Sequence, residues 1–147
     1  MLFSMSYIVD TNIFNKLIDG TVNVSDLPSD GSYVATHIQI DEINNTKDND
    51  RRARLFLVFA EMRPNIVPTE SFVLDLSRLD YGKLSDGVLY EKLKQELDAL
   101  NKSKSNNAQD VLIAEVAIVN DYTLLTSDRH LAAVVERLGG KVVYLKT

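Results

Sequence analysis

The chain has 147 residues, 45% of them apolar and 25% charged, with a net charge of −5 at pH 7 and no cysteine. That length fits a single domain spanning 1–147 with a substantial core, and the missing cysteine excludes disulfides, thiolate nucleophiles and cysteine-based zinc sites. With only His37 and His130, a histidine-rich zinc centre is not expected either, so any metal must be held by oxygen; the acidic balance argues against a strongly basic nucleic-acid clamp but is compatible with local basic patches beside an acidic site.

No run approaches the roughly 18 consecutive apolar residues of a membrane span, and the N-terminus has neither the basic region nor the apolar core of a secretory signal. The expectation is a soluble, cytoplasmic protein with no membrane partner.

In chain order, the first β-rich run, YIV at 7–9, stops abruptly at Asp10, and a helix is predicted over 11–19. Asp10 has two readings. It can cap that helix, or it can end a buried strand at the carboxyl edge of a parallel sheet, where open α/β folds place their ligands. SYVAT at 32–36 predicts a second strand feeding a helix over 37–46. On that helix Ile38 and Glu42 share a face continued by Asn45, while Asp41 shares another with His37. Glu42 can lean over the strand end or stay a solvated helix carboxylate.

The polar stretch 44–52 reads as a loop, a helix is predicted from about 50 to 62 before Pro64, and NIVPT at 65–69 is a third strand. Helices over 71–79 and 87–101 follow, then a polar loop at 101–110. The helix over 107–120 is apolar almost all round and therefore buried, with Asp110 near its mouth. Asn107 and Asp110 can alternatively form a capping pair. YTLLTS at 122–127 is a fourth strand, and Asp128 then repeats the arrangement at Asp10, with a cap on the helix over 129–138 as its plainer role. Glycines in RLGGKVV end that helix before a fifth strand at 141–146. Short strands separated by longer helical segments favour parallel βαβ connections over hairpins.

Asp10, Glu42, Asp110 and Asp128 gathered at one sheet edge would repel, and burial would raise their pKa values further. A divalent cation reverses that cost. Mg²⁺ and Mn²⁺ prefer carboxylate and water oxygens, and a bound water can be activated for attack on phosphate.

With VDTNIF near the N-terminus, then IDEI, AQDVLIAEVAI and LLTSDRHL in that order, the sequence resembles the PIN-domain nucleases, and among them the VapC-like toxins of toxin–antitoxin pairs. The resemblance spans nearly the whole chain but carries nothing over for 71–105. It implies a three-layer α/β/α sandwich around a five-stranded parallel sheet of order 3-2-1-4-5, and an acidic metal site on Asp10, Glu42, Asp110 and Asp128 accompanied by Asn12 and Thr126. It also implies a Mg²⁺- or Mn²⁺-dependent endoribonuclease with an antitoxin protein as partner. Asn12 and Thr126 are expected to orient carboxylates or water, or else to serve as turn residues.

For RNA contact the candidates are Arg51, Arg52, Arg54 and Arg129, the first three having a solvated helix face as their plainer role. The apolar residues of 53–62, among them Phe56, Leu57 and Phe59, point nearly all round a helix, so part of the set is exposed unless the monomer covers it; the VapC resemblance implies a homodimer or an antitoxin contact there. Three rivals stand beside the toxin reading: an RNA-processing nuclease outside a toxin pair, a non-catalytic interaction module, and a phosphatase using Asp10 as nucleophile. The last lacks a second acid, because position 12 is Asn.

Overall fold

The computed structural model describes residues 5–71, 87–102 and 107–146. Five strands, β1 (Met5–Val9), β2 (Gly31–Ala35), β3 (Asn65–Ile66), β4 (Thr123–Thr126) and β5 (Lys141–Tyr144), form one parallel sheet of order β3-β2-β1-β4-β5. The connecting helices are α1 (Thr11–Asp19), α2 (His37–Asn44), α3 (Asn49–Met62), α4 (Val88–Leu100), α5 (Ala108–Val119) and α6 (Arg129–Arg137). This is the PIN-like three-layer arrangement.

Alternation along the central strands builds the two cores. Ile8 and Leu124 point to the side filled by Leu93 and Leu97 of α4, by α5, and by Leu131 and Val135 of α6, whereas their neighbours Tyr7, Val9 and Leu125 point to Ile13 and Phe14 of α1 and Leu55 of α3. In α2, Ile38 belongs to the first core and Ile43 to the second. α5 is buried on nearly every side, as its unbroken apolar run requires.

Boundaries shift from the sequence expectation where a polar side chain takes over the backbone. β2 stops at Ala35 because Thr36 leaves the ladder to cap α2, its hydroxyl accepting from the Ile38 N–H at 3.1 Å. β3 is two residues rather than the predicted 65–69, with one further bond from the Val67 N–H to the Ala35 carbonyl before Pro68, which has no N–H to give. The predicted loop at 44–52 is cut short because Asp48 caps α3, accepting from the Arg51 N–H at 3.1 Å. Gly31 has no substitute, since a Cβ there would lie 2.1 Å from the Met5 carbonyl oxygen. The predicted helix over 71–79 lies, beyond Ser71, outside the described residues.

Candidate metal centre

Parallel strands all end on the same side, so the residues that follow β1 and β4 meet there. Asp10 follows β1 directly, and its backbone N–H donates to the Leu125 carbonyl at 2.9 Å, extending the β1–β4 ladder by one residue. Asp10 is only 4% exposed. It precedes α1 but makes no side-chain cap bond to it. Instead Asp10 Oδ2 accepts from the Thr126 hydroxyl at 2.8 Å, across the sheet from β4.

That hydroxyl has a second task. Thr126 Oγ1 accepts from the Asp128 N–H at 2.9 Å, so one side chain fixes both the Asp10 carboxylate and the turn presenting Asp128. The Asp128 carboxylate does cap α6, accepting from the His130 and Leu131 N–H groups at 3.0 and 3.1 Å. Both bonds use Oδ1, which leaves Oδ2 outside the cap.

Glu42 reaches the edge from α2, accepting from the Thr11 hydroxyl at 2.9 Å. α2 is itself tied to the end of β1. The Gln39 amide donates to the Val9 carbonyl at 3.0 Å, one residue before Asp10, while its Oε1 accepts from the Thr36 N–H and hydroxyl at 2.9 and 2.7 Å. Asp110 enters from the first turn of α5 and is buried. The capping pair with Asn107 does not form: Asn107 makes no side-chain cap bond and donates to Asp98 at 2.7 Å.

Electrostatics join these four side chains. Burial pushes the Asp10 pKa up to about 8, Asp110 raises it next, the Thr126 hydrogen bond opposes the rise, and Glu42 and Asp128 add to it. Three acids from α2, α5 and the β4–α6 turn therefore all act on one buried carboxylate. Among the described residues, no three acidic or histidine side chains already close around one point as a finished cage. A Mg²⁺-type ion does not require one, because it commonly takes one or two carboxylates directly and reaches the others through retained water. The donors are carboxylates and hydroxyls, which is the chemistry a hard cation prefers.

Asn12 lies beside this edge, accepting from the Ser127 hydroxyl at 3.5 Å. The arginines separate into two groups. Arg51 donates to Asn15 and Asp19 and so clamps α3 to α1, and Arg52 donates to the Thr46 carbonyl and Asn49. Arg54 and Arg129 are exposed, Arg129 next to Asp128. Thr11, Thr36 and Gln39 escaped the sequence reading, although the spacing of Thr36 and Gln39 is that of a capping box and was legible.

No protein-family model matches the chain, and no curated protein matches it. Solved structures do share its fold. A chain of VapBC2 from Rickettsia felis, solved with a DNA fragment from its promoter, superposes with a TM-score of 0.59 at 19% identity over 97% of this chain and 100% of that one. A chain of VapBC-1 from nontypeable Haemophilus influenzae gives 0.58 at 17% identity over 95% and 98%. One of VapBC-5, a member of the VapBC family of toxin–antitoxin systems from Mycobacterium tuberculosis, gives 0.52 at 17% over 97% and 98%. At such identities the likeness is one of fold.

Proposed function

We propose that this chain is a metal-dependent endoribonuclease and the toxin of a toxin–antitoxin pair. The observation that carries the nuclease reading is Asp10, a buried carboxylate whose pKa is raised by burial and by Asp110, Glu42 and Asp128 together. Such a cluster is costly unless a cation is shared among its members. Asp10, Asp110 and Asp128 would hold Mg²⁺ or Mn²⁺ directly or through water, with Glu42 completing the shell or orienting the attacking water. When bound, such an ion supplies a water of lowered pKa and countercharge for the phosphate oxygens.

The protein's own part is positioning. Thr126 holds the Asp10 carboxylate and the Asp128 turn in one geometry, Thr11 aims Glu42, and Gln39 locks α2 to the strand that ends at Asp10. Cleavage by water needs no protein nucleophile, which suits a chain without cysteine.

The toxin reading is supported by the fold shared with VapBC chains, and it brings an antitoxin protein as partner and RNA as substrate. Self-association is part of the proposal. Among the described residues no helix is long and apolar enough to cross a membrane. Leu57 on α3 is 63% exposed, and the next residue, Val58, lines a largely apolar groove of about 490 Å³ with Leu17, Val24, Leu27, Tyr33 and Met62. A homodimer or an antitoxin covering that face accounts for its composition.

The deciding experiment is cleavage of single-stranded RNA by purified protein. Mn²⁺ or Mg²⁺ should support it, a chelator should stop it, and Asp10→Asn should abolish it while the protein stays folded. Intact RNA with the wild type in both metals sinks the nuclease reading. For the toxin reading, expression should arrest growth and Asp128→Asn should relieve the arrest at equal protein level. Asn is the better variant here because it can still cap α6.

A further inference from the structure

A hollow of about 320 Å³ opens beside the acidic edge, bounded by Ser127, Asp128, Arg129, His130 and Tyr144. We propose that it seats an unpaired RNA nucleotide flanking the cleaved phosphodiester, with the Tyr144 ring as the platform on which the base stacks; this rests on the ribonuclease reading above.

Tyr144 is the last residue of β5 and pairs in register with Thr126 of β4, whose hydroxyl holds Asp10. Paired residues on neighbouring parallel strands lie on the same face of the sheet, with the strands about 4.8 Å apart. The ring therefore stands one strand over from the metal-site hydroxyl. The β5 end is pinned there by the Leu145 N–H, which donates to the Thr126 carbonyl at 2.8 Å. Tyr144 is 42% exposed, and the ring pairs among the described residues, Tyr7–Tyr33 and Phe14–Phe59, do not include it. An open ring on a rigid strand next to a phosphodiester site is what single-stranded nucleic acids use, since every base has a face to stack and unpaired bases are free to do so.

His130, which also lines the hollow, is oriented by a hydrogen-bond chain whose direction can be read from one end. Asp98 is held by Lys94 at 2.8 Å and, as a carboxylate, only accepts. The Asn107 amide must therefore donate to it, at 2.7 Å, which turns Asn107 Oδ1 toward the Asn101 amide at 3.4 Å. Asn101 Oδ1 is then the acceptor facing His130 Nδ1, so Nδ1 carries the hydrogen. Nε2 is left to serve the hollow that the ring lines, where it can meet a base edge or a ribose 2′-hydroxyl. Arg129, exposed on the same rim, is placed for one flanking phosphate, and the Ser127 hydroxyl supplies a further polar contact.

The test uses Asp10→Asn as a background in which RNA stays intact, with a fluorescent single-stranded RNA 12-mer and its duplex as probes in Mg²⁺. Adding Tyr144→Ala should weaken single-strand binding roughly tenfold, and Tyr144→Phe or Tyr144→Trp should restore it, because stacking needs the ring and not the hydroxyl. Duplex binding should change far less. Arg129→Gln should weaken all single-stranded sequences alike and lower the salt slope by about one. In otherwise wild-type protein, Tyr144→Ala should raise KM much more than it lowers kcat. Wild-type cleavage that Tyr144→Ala leaves unchanged in KM and in cut-site preference overturns the subsite and leaves the ribonuclease standing. Conversely, a wild type that never cleaves but still binds single strands through Tyr144 overturns the ribonuclease and supports the subsite. Equal loss of single-strand and duplex binding, or no rescue by Phe and Trp in folded variants, also overturns it.

Discussion

Asp10 carries a pH signature whose sign can be worked out. Its ordinary pKa is 3.8 and its folded value is about 8, so between those limits the folded protein retains a proton that the unfolded chain has released. Metal-free stability should therefore fall as pH rises through that window, and be unaffected by this group below it. Asp10→Asn removes the effect: at pH 8 the metal-free variant should melt higher than the wild type, and the gap should close as the pH is lowered toward 4. Mn²⁺ at 100 times its dissociation constant should return about 2.7 kcal/mol to the wild type and nothing to the variant. A metal-free wild type whose melting temperature rises steadily from pH 5 to pH 8 would contradict the burial of this acid.

Thr126 offers a second check at the same scale. Its hydroxyl lowers the Asp10 pKa against the rise caused by burial and the three neighbouring acids, and it also holds the Asp128 N–H. Thr126→Val keeps the shape and removes both bonds, so Asp10 should titrate still higher and RNA cleavage should fall by about one to two orders of magnitude, the usual loss when a group orienting a metal ligand is removed. Thr126→Ser should recover most of it. Full activity in Thr126→Val would mean that methyl packing matters there and the hydroxyl does not.

At the scale of elements, the site depends on where α2 is set against β1. Gln39 bridges them, with its amide on the Val9 carbonyl and its oxygen on Thr36, and it is fully buried. Gln39→Leu strands a buried carbonyl and opens the cap, so it should cost about 1–3 kcal/mol of stability and displace Glu42, which sits one turn further along. Chemical denaturation checks the first effect, and reduced cleavage in protein still folded at assay temperature checks the second. What the sequence made legible follows the same division. Sequence pattern marked the six α-helices among the described residues, α5 from its unbroken apolar run, but not the 3-10 turn Val24–Asp26, which buries no residue and so leaves no apolar signal. Asp10 and Asp128 could be placed at strand ends because the runs before them are short and bounded. Side-chain partners were not legible: Arg51 looked available for RNA, yet it binds Asn15 and Asp19, more than 30 positions away in the chain. Local pattern fixes an element, whereas long-range polar partners depend on how elements dock.

For the whole molecule, the question is what covers α3. Leu55 is buried and Phe56, Val58, Phe59 and Met62 are partly buried against the α1-side core, with the Phe14 and Phe59 rings 5.7 Å apart, so most of the apolar set predicted to need a partner is covered within one chain. Leu57 is the exception, and Val24, 75% exposed, lines the groove that Val58 also lines. Phe56→Glu is thus a poor probe, because it would place a charge against the monomer's own core. Leu57→Glu is the informative change: light scattering at micromolar concentration should give a dimer for the wild type and a monomer for Leu57→Glu, with melting lowered only by the lost association. The net charge of −5 is too small to oppose pairing strongly at physiological salt, where the screening length is about 8 Å. A wild type that stays monomeric across that range removes the homodimer and leaves the groove to an antitoxin. In that case Leu57→Glu should leave RNA cleavage intact and abolish neutralisation by the antitoxin, since α3 packs on α1 and α2 and contributes no acid to the metal site.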